Sequence, residues 1–364
     1  MPSPLLQVSW DKCLLEPAPD RQAEAALRRE TGAAPGWIRY FLSCPWVAKV
    51  AIGLGIENAL LVHLDFPTTA LISLVVSQEH SCRYCYAAAR MQMRILGMSE
   101  ERMQQLEQRL ADGVNLEARS AAAVRFARRM ARCAPLVSPE DLEPMRAAGY
   151  SDAEICEIAF VVACVAFFNR ISTIPALPPY NWEQLADRWY VRLFRPLIAR
   201  VLSSGVKRGQ PVSFARPPQG AFSRLLMQFE GSPIGPALAF AMGELWASPI
   251  LSRRCKALMF AVIGRGLGCN RSSDEMAGML EAEGLSRSES ERILAHLGGP
   301  GVTADEAVLL SFARDTIWYE PITIQRRARE LRARVSAAQF VEALGVVALA
   351  NALCRLCAAL PRES

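Results

Sequence analysis

The sequence predicts an all-α protein. About half of the 364 residues are apolar, and Ala, Leu and Arg are abundant while β-branched runs are short, which favours helices over strands. The apolar residues lie in stretches that begin at Ser and end before Gly, a pattern typical of helices with side-chain N-caps and left-handed C-termini. No alternation of strand and turn signals competes with this pattern. The length is sufficient for two domains with their own cores.

Charge and cysteine usage narrow the function classes. The formal net charge of +5 is small and spread along the chain, so no nucleic-acid partner is expected. Most of the eleven cysteines stand alone within apolar helical stretches, where a free Cys packs as a small hydrophobe. The N-terminus lacks the basic and apolar regions of a signal peptide, and the longest uncharged apolar run, 158–168, is about half of a bilayer span. We therefore expect a cytoplasmic protein with reduced thiols.

An internal repeat organises the chain. Placing Cys82 on Cys269, an offset of 187 residues, also pairs Gly97 with Gly284. Farther along the chain the offset drifts to 186 and then 185, as loop deletions would produce, and matching residues continue. The later matches are Phe126-Ala127-Arg128 with Phe312-Ala313-Arg314, Ser151 with Ser336, Glu157 with Glu342, and Val161-Val162-Ala163 with Val346-Val347-Ala348. The series predicts two tandem helical units that form one pseudo-symmetric structure.

Each unit contains the same elements in the same order. An apolar helix leads to the Cys position, and a second helix ends at Gly97 or Gly284. A third helix is capped by Ser99 or Ser286, and an amphipathic helix around Phe126 or Phe312 follows. A long apolar helix closes each unit, over 151 to about 171 and 336 to about 357. The predicted domains are an N-terminal extension (1–36), the first unit (37–175), a linker (176–220) and the second unit (221–364).

The linker is rich in proline and contains a basic aromatic helix within 180–205. This helix carries Trp189, Leu193 and Phe194 beside several arginines. Such a helix is able to lie on a membrane surface, but a connector whose aromatic side chains pack across both units is the expected role.

A C-x-x-C motif is the strongest functional signal. Cys82 and Cys85 lie where the apolar run 71–76 ends and a helical pattern begins. A thiol at a helix N-terminus faces the free N–H groups and the positive end of the macrodipole, so its thiolate is favoured. The spacing of three residues brings both sulfurs to one face of the helix. The motif therefore indicates thiol–disulfide chemistry, and the dipole alone favours Cys82 as the thiolate.

The phrase Ser81-Cys-Arg-Tyr-Cys-Tyr-Ala-Ala-Ala89 resembles the AhpD-like, or carboxymuconolactone decarboxylase, superfamily. It is similar to the peroxidase-related branch, whose motif runs Cys-x-Tyr-Cys-x-x-x-His, and Phe168-Asn169-Arg170 resembles an Asn-Arg pair late in that branch. The resemblance covers about 37–175 and extends more faintly to 225–360. It implies an all-helical fold and thiol-dependent peroxide reduction. It also implies that Cys85 attacks, that Cys82 resolves, and that a lipoyl or thioredoxin-like dithiol donor restores the pair.

The chain departs from the family pattern at the residues that activate the thiol. The family's proton-relay His falls on Ala89, and its Glu falls on Ala70. In the second unit Cys269 is retained, but Ser272 stands where the second Cys would be and Met276 where the His would be. We therefore expect that the second unit cannot form the disulfide.

Glu79 and His80 are candidates to replace the missing relay. A neutral His within reach of a thiol can act as its base when a carboxylate orients it. Arg83 and Arg90 would further favour a thiolate. The alternative is that Glu79 and His80 are ordinary polar residues at the end of a helix.

No metal or cofactor is expected. His80, Cys82 and Cys85 could supply three zinc ligands, but no second C-x-x-C or His pair lies nearby in the sequence. Cys354 and Cys357 form another C-x-x-C, which lies inside the last apolar helix and is interpreted as core packing.

Three functional hypotheses follow. The first is a thiol oxidoreductase of AhpD type that reduces a peroxide or related electrophile through Cys82 and Cys85. The second is the same scaffold reused for a non-redox reaction on a small organic substrate, such as decarboxylation, isomerisation or a biosynthetic rearrangement. The third is a non-catalytic helical scaffold. The expected partners are a small organic substrate and a dithiol donor, membrane contact is not expected, and homo-oligomerisation is left open.

Overall fold

The computed structural model describes residues 5, 10, 12–18, 20–32, 35–55, 57–112, 116–178, 188–203, 210–215 and 218–360. These residues form helices and connecting turns, and they contain no β-strand, so the all-α prediction is confirmed. The helices are α1 (Arg21–Thr31), α2 (Pro45–Gly55), α3 (Glu57–Leu60), α4 (Phe66–Glu79), α5 (Arg83–Ile95), α6 (Glu100–Asp112), α7 (Ala118–Arg132), α8 (Glu143–Ala147), α9 (Asp152–Thr173), α10 (Trp189–Ser203), α11 (Ser223–Met227), α12 (Ile234–Ala247), α13 (Arg253–Leu267), α14 (Asn270–Ala282), α15 (Arg287–His296), α16 (Ala304–Asp315), α17 (Pro321–Arg332) and α18 (Ala337–Ala359).

Two long buried helices, α9 and α18, lie against each other at the centre of the molecule. Helices α4, α5 and α7 pack around α9, while α13 and α14 pack on α18. Apolar side chains from both groups share one continuous core, and a second, smaller cluster lies between α4, α5 and α7. The thiol motif therefore lies on helices that are held directly against the central pair.

Both central helices are long and apolar enough to cross a membrane by length and composition, among the described residues. Both are also almost entirely covered by other helices, α9 at 89% and α18 at 100% of the most apolar window. Each carries a buried Glu and a buried Arg, Glu157 and Arg170 in α9 and Glu342 and Arg355 in α18. The two helices form the protein core in this structure.

The predicted helix ends are found where the cap residues placed them. Ser151 and Ser336 are the N-caps of α9 and α18, and each forms a capping box. Ser286 caps α15 by accepting a hydrogen bond from the Glu289 N–H. Gly97 has a φ of 94° directly after α5, in the left-handed region that glycine tolerates.

Buried carboxylates fix the chain before α4 and α13. Glu157 of α9 accepts hydrogen bonds from the N–H groups of Val62 at 2.7 Å and Leu64 at 2.8 Å. Glu342 of α18 accepts one from the N–H of Leu251. These bonds satisfy main-chain donors that would otherwise be buried without partners, and they set where α4 and α13 begin.

The linker contains the predicted helix, but its aromatic side chains do not pack as expected. Trp189 is 74% exposed, and Leu193 and Phe194 are also exposed. Helix α10 packs on α4 and α5. The expectation that these side chains pack across both units is therefore wrong. Residues 179–187 and 204–209 of the linker lie outside the described residues.

Candidate functional site

The Cys82–Cys85 motif lies at a sharp turn between two helices. Helix α4 ends at Glu79, and Ser81 adopts a left-handed φ of 49° that redirects the chain. Cys82 is the N-cap of α5, and its Sγ accepts a hydrogen bond from the Cys85 N–H at 3.3 Å. The Cys82 sulfur therefore caps one of the free N–H groups of the first turn.

The surroundings of Cys82 stabilise its thiolate. Burial raises the pKa of this thiol, but the neighbouring Cys85 thiol and the N–H groups of Cys85 and Tyr84 lower it more, so that the pKa lies below its ordinary value. Cys82 itself is fully buried. Its surroundings therefore favour the thiolate over the thiol, and the sulfur is shielded from bulk solvent.

Cys85 lines a cavity of about 210 Å³ between α4, α5 and α9. The walls are mostly apolar and include Trp37, Phe41, Phe168 and Ile171. The Cys85 Sγ also lies 3.9 Å from the Ser172 hydroxyl. Cys85 is therefore the thiol of the pair that a small apolar molecule in this cavity would meet.

The cavity wall also contains an unsatisfied polar group. The hydroxyl of Ser73 is buried and has no hydrogen-bond partner among the described residues. Ser77 lies one turn along α4 in the same wall, 3.5 Å from the Asn169 side-chain oxygen. A buried hydroxyl without a partner is able to hydrogen bond to a ligand that enters the cavity.

The two family relay positions are filled by apolar packing. Ala70 and Ala89 belong to one small buried cluster together with Leu74, Tyr86 and Met93. Ala89 also borders the cavity beside Cys85. The described residues place no acid or base at these two positions, in agreement with the sequence.

His80 is held by partners other than the thiols. Its Nε2 lies 3.1 Å from the carbonyl oxygen of Ala131, and its Nδ1 lies 3.0 Å from the side-chain amide nitrogen of Asn169. A carbonyl only accepts, so Nε2 carries the proton and Nδ1 accepts from Asn169. Burial, together with the positive charges of Arg170 and Arg355, depresses the pKa of His80 well below its ordinary value. The imidazole is neutral, and within the described structure neither ring nitrogen contacts Cys82 or Cys85.

Glu79 and Arg90 pair with residues other than the thiols, whereas Arg83 lies near Cys82. Glu79 pairs with Arg128 at 3.1 Å and Arg132 at 2.5 Å, on the side of α7. Arg90 pairs with Glu100 and Glu107. Arg83 is close enough to Cys82 for their charges to interact, and its guanidinium lies over the Trp10 ring. The structure therefore joins Cys82 with Cys85 and Arg83, and it does not bring His80 or Glu79 to them.

Sequence reasoning missed Tyr319, which reaches the thiols from the segment between α16 and α17. Burial raises the pKa of its hydroxyl, and thiolate charge on Cys82 or Cys85 raises it further. The Arg170 guanidinium lies 5.5 Å from the centre of the Tyr319 ring. Tyr319 lies 149 residues after Arg170, in a short segment without a recognisable motif. Only the fold brings the two residues together.

Cys269 of the second unit has a second thiol near it, although Ser272 replaces the motif cysteine on which the expectation of no disulfide was based. Ser272 donates a hydrogen bond to the Cys269 Sγ at 3.2 Å, as its position in the motif suggested. The thiol of Cys357 in α18 also lies close enough to Cys269 to lower its pKa. The expectation considered only the residue three places after Cys269 and interpreted Cys357 as packing.

A protein metal site needs at least three ligating side chains close together. Among the described residues, no three His, Cys, Asp or Glu side chains are grouped so that they could hold a metal ion.

No family model, curated protein or solved structure matches this chain.

Proposed function

We propose that the protein is a thiol-dependent oxidoreductase of AhpD type, which reduces an organic hydroperoxide through a dithiol–disulfide cycle of Cys82 and Cys85. One observation carries the proposal. Cys82 is a buried, hydrogen-bonded helix N-cap with a lowered pKa, while its neighbour Cys85 faces an apolar cavity. One sulfur is thus stabilised as an anion, and the other is accessible to substrate.

The paired thiols supply a mechanism without the family's Glu and His. In the resting state Cys82 is a thiolate that accepts a hydrogen bond from the Cys85 thiol. Cys85 attacks the terminal peroxide oxygen and passes its proton to Cys82, and the O–O bond breaks to leave an alkoxide that takes a proton from water. Cys82 then attacks the Cys85 sulfenic acid, forming the disulfide and releasing water. One hydroperoxide is reduced to an alcohol and water, and the two thiols are oxidised to one disulfide.

The cavity indicates the class of substrate. Its aromatic and aliphatic walls favour an apolar organic group, and the Ser73 hydroxyl is available to bond a peroxide oxygen. A dithiol donor, of lipoyl or thioredoxin-like type, would restore the reduced pair. We propose a reducing compartment such as the cytoplasm, where such a donor would keep the pair reduced.

We also propose that the chain is a tandem duplication whose two units are related by a pseudo-twofold axis. The N-caps Cys82 and Cys269 have nearly the same backbone angles, with φ of −87° and −85° and ψ of 97° and 98°. The central arginines are likewise matched: the Nε of Arg170 donates to the Thr316 carbonyl at 3.0 Å, and the Nε of Arg355 donates to the Ala131 carbonyl at 3.3 Å.

These matches follow one register. Arg170 and Arg355 are 185 residues apart, and so are the carbonyls of Ala131 and Thr316 that they bind. Each guanidinium therefore reaches across to a main-chain carbonyl of the other unit. Such reciprocal contacts are expected when two identical subunits that meet at a twofold interface are fused into one chain.

The test of the redox function uses the full chain, reduced and freed of small thiols. Consumption of cumene hydroperoxide and of hydrogen peroxide is measured with dihydrolipoamide as the donor. Wild type should turn over the organic peroxide faster, and Cys82→Ser and Cys85→Ser should each lower turnover at least about 100-fold, because no disulfide can form. Cys156→Ser, a half-buried thiol remote in the sequence, is the matched control and should retain activity. Full turnover by the Cys82→Ser, Cys85→Ser double variant would overturn the proposal.

One observation favours the second candidate function, a non-redox reaction in the same cavity. Ala70 and Ala89 replace both relay residues with tightly packed apolar side chains. A scaffold that had abandoned peroxide chemistry would also have no need of those residues. The same double variant separates the candidates, because a non-redox activity would survive the loss of both thiols.

A further inference from the structure

The second unit contains three thiols that the proposed peroxidase site does not use. Cys269 is the N-cap of α14, and Cys354 and Cys357 lie one turn apart near the end of α18. All three are buried. They belong to different elements that the fold brings together, so their proximity could not be read from the sequence.

The contacts place Cys357, rather than Cys354, opposite Cys269. The guanidinium of Arg271, two residues after Cys269, donates to the carbonyl oxygens of Cys357 at 3.0 Å and Leu360 at 2.8 Å. These bonds hold the start of α14 against the last turn of α18. The Cys357 thiol in turn lies close enough to the Cys269 sulfur to lower its pKa, and that sulfur accepts a hydrogen bond from the Ser272 hydroxyl at 3.2 Å.

The arrangement resembles that of the first site with two residue types exchanged. In the first unit, Cys82 is the N-cap, Cys85 follows three residues later, and Ser172 of α9 lies 3.9 Å from Cys85. In the second unit, Ser272 stands at the position of Cys85. Cys357 stands at the position of Ser172, at the repeat offset of 185. Helix α14 thus lacks the second thiol of the motif, and α18 supplies a thiol, Cys357, in its place.

We propose that Cys269 and Cys357 form a second redox-active dithiol, which is oxidised by hydrogen peroxide to a disulfide joining α14 to α18. The Cys269 thiolate attacks one peroxide oxygen, giving a sulfenic acid and a hydroxide that takes the Cys357 proton. The Cys357 thiolate then attacks the Cys269 sulfur and displaces hydroxide, which is protonated to water. Two thiols and one hydrogen peroxide give one disulfide and two waters.

The electrostatics of the pair agree with this order of events. Hydrogen bonding from Cys357 lowers the pKa of Cys269 to about 6, against a smaller opposing effect of burial, and the Ser272 hydroxyl and the Arg271 charge act in the same direction. The pKa of Cys357 is raised, because its proton is held by the Cys269 sulfur. Burial raises the pKa of Cys354 to about 12. Cys269 is therefore the nucleophile of the three.

Trypsin separates the relevant cysteines onto different peptides, which makes the pairing directly measurable. Cleavage after Arg265 and Arg271 releases Cys269 in Gly-Leu-Gly-Cys-Asn-Arg, and cleavage after Arg355 places Cys354 and Cys357 on separate fragments. The reduced full chain carrying Cys82→Ser and Cys85→Ser is exposed to hydrogen peroxide beside a sample of reduced glutathione. Both are quenched, and remaining thiols are alkylated in denaturant before digestion.

The expected result is a cross-linked peptide joining 266–271 to 356–362, lost on reduction with dithiothreitol. Cys354→Ser should leave its yield unchanged, whereas Cys357→Ser should abolish it, with circular dichroism confirming that both variants are folded. Recovery of Cys269 and Cys357 as alkylated thiols under conditions that oxidise the glutathione would overturn the proposal. A cross-link from Cys269 to Cys354 or to Cys133 would also overturn it.

The experiment is independent of the proposed peroxidase site, which is absent from the double variant. If peroxide turnover by the wild type fails while this cross-link forms, the proposed function falls and the second dithiol stands. If the wild type turns over peroxide but the cross-link does not form, the proposed function stands and the second dithiol falls.

Discussion

The Nε2 atom of His80 lies 3.1 Å from the carbonyl oxygen of Ala131, and this contact decides the protonation state of the ring. Because a carbonyl cannot donate, the proton lies on Nε2, and the other nitrogen is committed to accepting from an amide. A second ring proton, on Nδ1, would have no acceptor and would be placed beside two buried arginines. His80 is thus a neutral structural residue at the end of α4, and its effect on function is expected through stability.

We predict that His80 makes the protein less stable in acid. Its folded pKa lies below its unfolded value of about 6.5, so the unfolded chain binds the extra proton first. The stabilisation by the neutral His80 ring is fully present above the unfolded pKa of about 6.5. It is lost as the pH falls from that value toward the folded pKa. Each unit of depression corresponds to at most about 1.4 kcal/mol. Urea unfolding at several pH values between 7 and 5 measures the loss.

The matched variants are His80→Gln and His296→Gln, the latter at an exposed position at the end of α15. His80→Gln should lower stability at pH 7 and flatten its decline toward pH 5, while His296→Gln should leave the decline unchanged. An equally steep decline in His80→Gln would show that another group is responsible.

We predict that the Cys82 thiolate depends on a hydrogen-bond donor at position 85. Cys85→Ala removes the side-chain donor and should raise the pKa of Cys82, whereas Cys85→Ser retains a hydroxyl donor and should raise it less. The ultraviolet absorbance of thiolate against pH gives the titration, and subtraction of the Cys82→Ser curve isolates the group. Identical curves for the Ala and Ser variants would assign the lowered pKa to the helix N–H groups alone.

The sequence was sufficient to predict the helices but not the partners of the buried polar groups. Ser151 and Ser336 were identified as N-caps because a cap interacts with residues two or three places away. The neighbours of His80 and Cys269 are 51 and 88 residues distant, and no local pattern reports such pairs. The same limit applies to Tyr319, whose side chain reaches the thiols of the other unit.

We predict that Lys256 and Glu342 stabilise the core only as a pair. The Nζ of Lys256 lies 3.6 Å from Glu342 and donates to the carbonyls of Leu245 and Ser248 at 2.7 and 2.6 Å. Both side chains are fully buried. Lys256→Met should lower the free energy of unfolding by about 3–5 kcal/mol, because it leaves the carboxylate buried without its counter-charge.

The double variant Lys256→Met, Glu342→Gln provides the control for this pair. Its loss should be smaller than the sum of the two single losses, since the second change removes the unpaired charge that the first creates. Strictly additive losses in urea unfolding would show that the two groups act independently.

We predict that Gly345 is required by the close approach of α18 and α2. A Cβ atom at this position would lie 2.5 Å from the Cγ2 of Val47 and 2.8 Å from the Cη2 of Trp46. Ala has the higher helix propensity, by about 1 kcal/mol, so the substitution would be favourable if only the helix mattered. Overpacking a buried contact costs about 1–3 kcal/mol, which exceeds that gain, and Gly345→Ala should therefore destabilise the protein.

Gly278→Ala is the comparison, because Gly278 lies inside α14 with no atom within 4 Å of the added methyl group. This variant should be stabilised by about 0.5–1 kcal/mol through helix propensity alone. The opposite signs of the two changes, measured by urea unfolding, would attribute the cost at Gly345 to the helix crossing. A stabilised Gly345→Ala protein would instead mean that α18 and α2 lie farther apart in solution than in this structure.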